Sequence, residues 1–227
     1  MGQRSETTSQ QSDDLTLDEI RDVLAPRIIA NAAFDGWSAD AVKSAAHDVG
    51  IDPDVAAYAF RGGQMQMIEA AIGHVDRQMV AALPQEYLAD LKIRERILRL
   101  VRFRLDAFEG QEEALRRAHA IMAMPRNAAH AMRLGWRSAD MMWRQAGDTS
   151  TDYNYYTKRT ILAGIYAATL AVFIDDHSEG KADTLAFLDR RIDGIMRFEK
   201  AKARWTQQPE HRISISRFLG RLRYPAK

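Results

Sequence analysis

The sequence predicts an all-α bundle of about ten helices. Three observations carry this. Almost every segment repeats its apolar residues at helical period. The alternation of β-branched residues that marks half-buried strands is absent. Six Pro and thirteen Gly in 227 residues are too few turn-formers for a multi-stranded all-β fold.

The candidate helices are 17–34, 38–48, 53–60, 63–82, 88–108, 112–123, 126–146, 153–177, 182–203 and 213–223. Gly36 follows the first, where a C-terminal glycine belongs. Ser38 caps the second. Asp52-Pro53 is a cap followed by proline at the first helical position, which suits the third. Pro125 divides two helices because proline cannot continue the first. Gly147 ends the next, and Asp152 caps the long one after it. Residues 1–16 open with MGQRSETTSQQSDD, which is polar, lacks an apolar signal core and has the composition of a disordered tail. Glu6 stands where a myristoylation motif wants Ser or Thr.

Composition narrows the chemistry. Without cysteine there is no disulfide framework, no Cys-ligated metal and no thiol nucleophile. Thirty-two Lys+Arg balance 31 Asp+Glu, and the apolar share of 46% is that of a globular protein. The longest uncharged run, 160–174, is shorter than the roughly 20 apolar residues a membrane span needs.

Residues 17–62 form a three-helix unit of helix-turn-helix type, with Gly50 at the tight corner. The helix that would read bases is DPDVAAYAF, with two carboxylates and no cation. Across 18–62, Arg21, Arg27, Lys43 and Arg61 face Asp18, Glu19, Asp22, Asp35, Asp40, Asp48, Asp52 and Asp54, a net of −4. Phosphate neutralisation supplies most DNA affinity, so a degenerate unit that binds no nucleic acid is expected.

No catalytic constellation emerges. There is no Glu-x-x-His pair, no H-E-x-x-H, no phosphate loop and no G-x-G-x-x-G. Asp175-Asp176-His177 are consecutive, so on a helix they point about 100° apart and cannot face one ion. No metal, no cofactor and no enzymatic activity are expected.

The apolar surfaces say more. Helix 153–177 starts polar and then runs ILAGIYAATLAVFI, with Ile161, Ile165, Ala168 and Val172 on one face and Leu162, Tyr166, Leu170 and Phe173 on another. A helix apolar all round sits at the centre of a bundle. Its Ala163, Gly164, Ala167, Ala168 and Ala171 allow close helix approach or leave room for a guest. Met122, Met124, Met132, Met141, Met142 and Met196 either fill an ordinary core or conform to a greasy ligand. Filler or guest site, the residues concerned are Ile161, Leu162, Gly164, Ile165, Ala168, Leu170, Met122 and Met132. Trp136, Met141, Met142, Trp143, Tyr153, Tyr155 and Tyr156 are a dense core layer or an interface. Met141 to Trp143 span about 200° of a helix, too wide for one neighbour.

Residues 188–227 carry eleven Lys+Arg and four Asp+Glu, a net of +7. Ile215, Phe218, Leu219 and Leu222 form one apolar stripe flanked by Arg212, Arg217, Arg221 and Arg223. Gln207-Gln208-Pro209 is a polar linker before it. Such a helix anchors to a membrane surface, or docks on its own domain.

The run AGDTSTDYNYYTKRTILAGIYAATLAVFIDDHSEGKADTLAFLDRRIDGIMRFEKAKA resembles the C-terminal domain of TetR-like ubiquinone-biosynthesis accessory proteins. The similarity extends to MPRN, ADMMW, the Gly36-Trp37 corner and the terminal helix, over roughly 17–223. Tyr153 and Tyr155 stand where that family often has Trp. The resemblance implies a TetR-like fold with a tail at 1–16, a degenerate helix-turn-helix unit at 17–62, a lipid-binding and dimerisation domain at 63–205, and a linker with membrane helix at 206–227. It implies a non-enzymatic protein that binds isoprenoid or phospholipid tails, forms a homodimer, and presents quinone precursors at a membrane to demethoxyubiquinone hydroxylase. The lipid site then maps to Ile161, Leu162, Gly164, Ile165, Ala168, Leu170, Met122 and Met132. The hydroxylase surface then maps to Asp140, Met142, Trp143, Asp152, Tyr155 and Tyr156, and the membrane contact to Ile215, Phe218, Leu219, Leu222, Arg217 and Arg221. A cytoplasmic, inner-membrane-peripheral bacterial protein is expected, or a matrix-side one if the chain is a processed eukaryotic form. The alternative reading is a TetR-type, ligand-responsive transcription regulator.

Overall fold

The computed structural model describes residues 15–151 and 153–207, with side chains as far as 194. Among the described residues the regular structure is helical throughout. The helices are α1 Leu17–Asp35, α2 Ala39–Val49, α3 Pro53–Ala59, α4 Gln64–Ala82, α5 Gln85–Leu88, α6 Ile93–Asp106, α7 Glu112–Met122, α8 Ala128–Gln145, α9 Tyr153–Asp175 and α10 Ala182–Gln207. The predicted helix 213–223 lies outside the described residues.

Two compact units divide the chain, Met1–Asp189 and Arg190–Lys227. In the first, α1 packs on α2, α4 and α7, and α9 packs on α6, α7 and α8. The described part of the second is the helical run of α10 through Gln207.

Local chemistry sets the ends of these elements. Thr16 and Glu19 form a reciprocal capping box at the start of α1. Gly50 adopts φ +75° between α2 and α3, and Asp52 accepts from the amides of Asp54 and Val55 to start α3. Asp176 opens α10 by accepting from the amides of Ser178 and Thr184, each at 2.8 Å, and from both hydroxyls. Burial pushes its carboxyl up, but these four donors outweigh burial and hold it below the usual carboxylate range. Asp175 and Asp176 are thus engaged in pairing and capping and do not form a shared ligand set with His177, Asp175 pairing with Arg116 at 2.6 Å. α9 ends at Asp175, ahead of His177, and Lys181 donates to the carbonyl of Asp176, just past the helix end, at 2.8 Å.

The predicted helix 88–108 starts late and ends early, running from Ile93 to Asp106 behind a separate short turn. α5 ends at Leu88 and α6 begins at Ile93. Arg96 holds the break open by donating to the carbonyls of Leu91, Ala89 and Ala146 at 2.9, 2.6 and 2.8 Å. These carbonyls have left the helical ladder, and one cation satisfies all three.

At 23 residues, α9 is longer than its uncharged run and has the length and apolar composition to cross a membrane. One face is nevertheless buried in the bundle, through Leu162, Tyr166, Thr169, Leu170, Phe173 and Ile174. The expectation of a helix enclosed on all sides is therefore corrected: Gly164, Ala167, Ala168 and Ala171 are exposed, and these small residues leave that face open.

Candidate functional site: an apolar cavity beside a charged clasp

A cavity of ≈ 460 Å³ lies between α4, α6, α7, α8 and α9. α9 contributes Ala163, Tyr166, Ala167, Leu170 and Ala171. Three of these are alanines at i, i+4 and i+8, so one side of the helix is stripped of bulk where the cavity runs. Ile68, Ala71, Leu115, Ala118 and Leu134 are buried lining residues. Ala123, Ala167 and Ala171 are exposed lining residues and mark the mouth. Trp37 joins the wall from the helix-turn-helix unit, its indole N–H donating to the carbonyl of Ala114 at 2.9 Å. His119 also lines the cavity, and burial lowers its pKa, so its ring is neutral near pH 7.

Leu170 and Met122 of the predicted lipid set line this cavity. The other six sit elsewhere. Leu162 is buried among neighbouring helices, Gly164 and Ala168 are exposed, Ile161 and Ile165 are half-buried, and Met132 is 73% exposed. The correction is one of helix face. Because α9 is apolar all round, its sequence has no period that tells the cavity side from the others. Trp37, Tyr166 and Arg104 were not foreseen as cavity lining; Ala163, Ala167 and Ala171 were noted as leaving room but were not separated from Gly164 and Ala168, although their i, i+4, i+8 spacing was the available signal.

The AGD-to-TKR run builds a clasp between α8 and α9. Arg159 is buried and donates to Asp140 at 2.5 Å and to Asp148 at 3.0 Å. Its guanidinium lies 3.5 Å from the centroid of the Tyr155 ring. The Tyr155 hydroxyl donates to Asp140 at 3.1 Å. Lys158 and Ser150 donate to Asp148 at 2.7 and 2.8 Å. Trp143 donates its indole N–H to the Lys158 carbonyl at 3.0 Å and lies under the Lys158 ammonium. Burial pushes the Asp148 carboxyl up, and the bonds from Lys158, Ser150 and Arg159 outweigh it, leaving the pKa at about 2. Asp140 is lowered too, burial being overcome by Arg159 and Tyr155.

Within the expected hydroxylase surface, this geometry separates roles. Met142 is 0% exposed and is core, so as a free partner contact it is corrected. Asp140, Trp143 and Tyr155 are part-buried and engaged in the clasp. Tyr156 is 61% exposed, and with Tyr155 and the half-buried Trp136 it forms a cluster with ring centroids 5.1 to 6.4 Å apart. Asp152 and the membrane set Ile215, Phe218, Leu219, Leu222, Arg217 and Arg221 lie outside the described residues. Among the described residues no three His, Asp or Glu are grouped to hold a metal ion.

The fold defines a TetR-like helical protein. A TetR transcriptional regulator from Nitrosomonas europaea superposes with a TM-score of 0.61, covering 77% of this chain and 97% of that one at 22% identity, a likeness of fold. Residues 128–199, which include the clasp and one wall of the cavity, match the COQ9 family model. The mitochondrial ubiquinone biosynthesis protein COQ9 of Rattus norvegicus is 34% identical over 171 residues, 71% of this chain and 54% of that protein. Its counterparts from Bos taurus and Homo sapiens are 32% and 30% identical over 168 residues. The chain is a homologue of these COQ9 proteins and spans about half their length.

Proposed function

We propose that the chain is a non-enzymatic, lipid-binding accessory protein of ubiquinone biosynthesis. The observation that carries this reading is the ≈ 460 Å³ apolar cavity in a COQ9-homologous chain. Its volume is that of a small-molecule site, and its lining is alkyl and aromatic with a few polar groups. Isoprenoid or phospholipid tails enter past Ala167 and Ala171. Each buried CH₂ contributes about 0.8 kcal/mol. The Trp136–Tyr155–Tyr156 cluster, rigid against the clasp, is the surface offered to demethoxyubiquinone hydroxylase, to which the protein presents quinone precursors. The exposed small residues Gly164 and Ala168 of α9 suit a homodimer contact. The basic C-terminal stretch holds the protein at the membrane surface. Its relatives are named as mitochondrial, which favours the matrix side for a eukaryotic source and the inner-membrane cytoplasmic face for a bacterial one.

The regulator alternative has only the fold in its favour. Asp52 and Asp54 are exposed at the start of α3, where a base-reading helix needs cations or amides. Native mass spectrometry of the purified protein tests the proposal. A chain carrying an adduct of lipid mass is expected. A ligand-free chain that also fails to bind added isoprenoid would refute it.

A further inference from the structure

The acidic helix-turn-helix unit presents a face that neither the cavity nor the clasp uses. α3 packs on α1 and α2 and turns Asp54, Val55, Ala57 and Tyr58 to solvent, neighbouring positions on one side of the helix. Val55 is 42% exposed and Tyr58 54%. Tyr58 is braced from just past the helix end, where Arg61 lies 5.0 Å from its ring centroid and donates to its hydroxyl at 3.3 Å. Three exposed carboxylates border this ridge: Asp48 near the end of α2, Asp52 at the corner and Asp54 on α3. Among the described residues none of the three is paired with a cation, whereas the exposed Asp18, Glu113 and Asp175 each pair with an arginine.

We propose that this face of α3 is a protein-docking surface, and that its occupant is a basic segment of a second protein with apolar residues at its centre. A helix-turn-helix holds its second helix out as a ridge that enters a groove. Here the ridge carries the charge of a nucleic acid, so it repels phosphate and fits a polypeptide of the opposite sign. Val55, Ala57 and Tyr58 supply the apolar centre, and Asp48, Asp52 and Asp54 the polar rim, which is the layout of a protein interface. Tyr58, already braced by Arg61, loses little side-chain freedom when covered. Charge decides between partners. A neutral apolar partner would strip water from the carboxylates without replacing it, and an acidic one would add repulsion. Lysines or arginines at the partner's rim satisfy all three.

The test is fluorescence anisotropy of labelled helical peptides of about 18 residues, titrated with the full-length protein. One peptide carries a leucine stripe flanked by lysines, one the same stripe flanked by glutamates, and one the lysines with serines in place of the stripe. The lysine–leucine peptide should bind at least about tenfold more tightly than either of the others. Val55→Ser/Tyr58→Ser should remove about tenfold of that affinity. Asp52→Asn/Asp54→Asn keeps an N-cap residue at the start of α3 and should remove about threefold. Glu86→Gln, on α5, should change nothing. Dichroism checks that each variant is folded, and the two double variants fail independently of one another. Equal binding of the lysine and glutamate peptides, or full affinity in a folded Val55→Ser/Tyr58→Ser chain, would overturn the proposal. So would a gain in peptide affinity in Arg217→Gln/Arg221→Gln, which would assign the face to this chain's own basic segment. A dimer in sedimentation equilibrium that Tyr58→Ser dissociates would overturn it in favour of a second copy.

Discussion

The guanidinium of Arg159 lies over the ring of Tyr155, 3.5 Å from its centroid, and both side chains bond the same Asp140 carboxylate. This contact joins the start of α9 to the middle of α8 and fixes Tyr155 beside Tyr156. A surface aromatic held this way loses little side-chain entropy when a partner binds.

Acid should loosen the clasp in a defined window. Asp148 titrates at about 2 in the folded chain, below its usual 3.8. A depressed folded value contributes stability that is complete above about pH 4 and is lost as pH falls toward 2. Asp148→Asn should cost on the order of 2 kcal/mol at pH 7, or about 4–8 °C in Tm for a chain of this size. It should also flatten the fall of Tm between pH 4 and 2. An unchanged acid slope would show that Asp148 is not the titrating group.

Partner binding should separate from folding within the aromatic patch. Tyr156→Asp should weaken demethoxyubiquinone hydroxylase binding at least tenfold with helicity intact, because a carboxylate in a buried interface is desolvated without a partner. Met142→Asp should instead unfold the chain, since Met142 is fully enclosed. Surface plasmon resonance and circular dichroism read the two effects. Full hydroxylase affinity in a folded Tyr156→Asp variant would remove the patch from the interface.

Duplex DNA should not be recognised. With Asp52 and Asp54 exposed at α3, an operator library at near-physiological salt should yield no sequence-specific complex. A sub-micromolar, salt-sensitive mobility shift would restore the regulator reading.

Truncation after Pro209 should strongly reduce co-sedimentation with anionic liposomes and leave Tm nearly unchanged. An apolar stripe flanked by arginines gains from both acyl burial and headgroup charge. A lower Tm with intact liposome binding would mean that the segment docks on its own domain.

What the sequence reveals of this fold depends on how local each determinant is. Gly50 and Asp52-Pro53 are local signals, and the corner between α2 and α3 stands where they place it. Thr16-x-x-Glu19 was equally legible as a capping box and went unread. The α5–α6 break was not legible, because its cause is Arg96 reaching the carbonyl of Ala146, fifty residues away. The cavity side of α9 was hidden by the helix's uniform apolarity. Asp140, Trp143 and Tyr155 were named for a partner surface, but Arg159 and Asp148, which hold the clasp together, were not, because their engagement is set by contacts between helices that spacing along one helix does not encode.

The position of the lipid is tested most directly by a pair of tryptophan substitutions on adjacent turns of α9. Ala167 lines the cavity mouth, whereas Gly164 points to an exposed face away from it. Lipid extracted per chain, quantified by mass spectrometry after identical purification, should fall at least fivefold in Ala167→Trp and stay at the wild-type level in Gly164→Trp. Dichroism confirms that both are folded. Loss of lipid from Gly164→Trp with full occupancy in Ala167→Trp would contradict the assignment of this cavity as the lipid site.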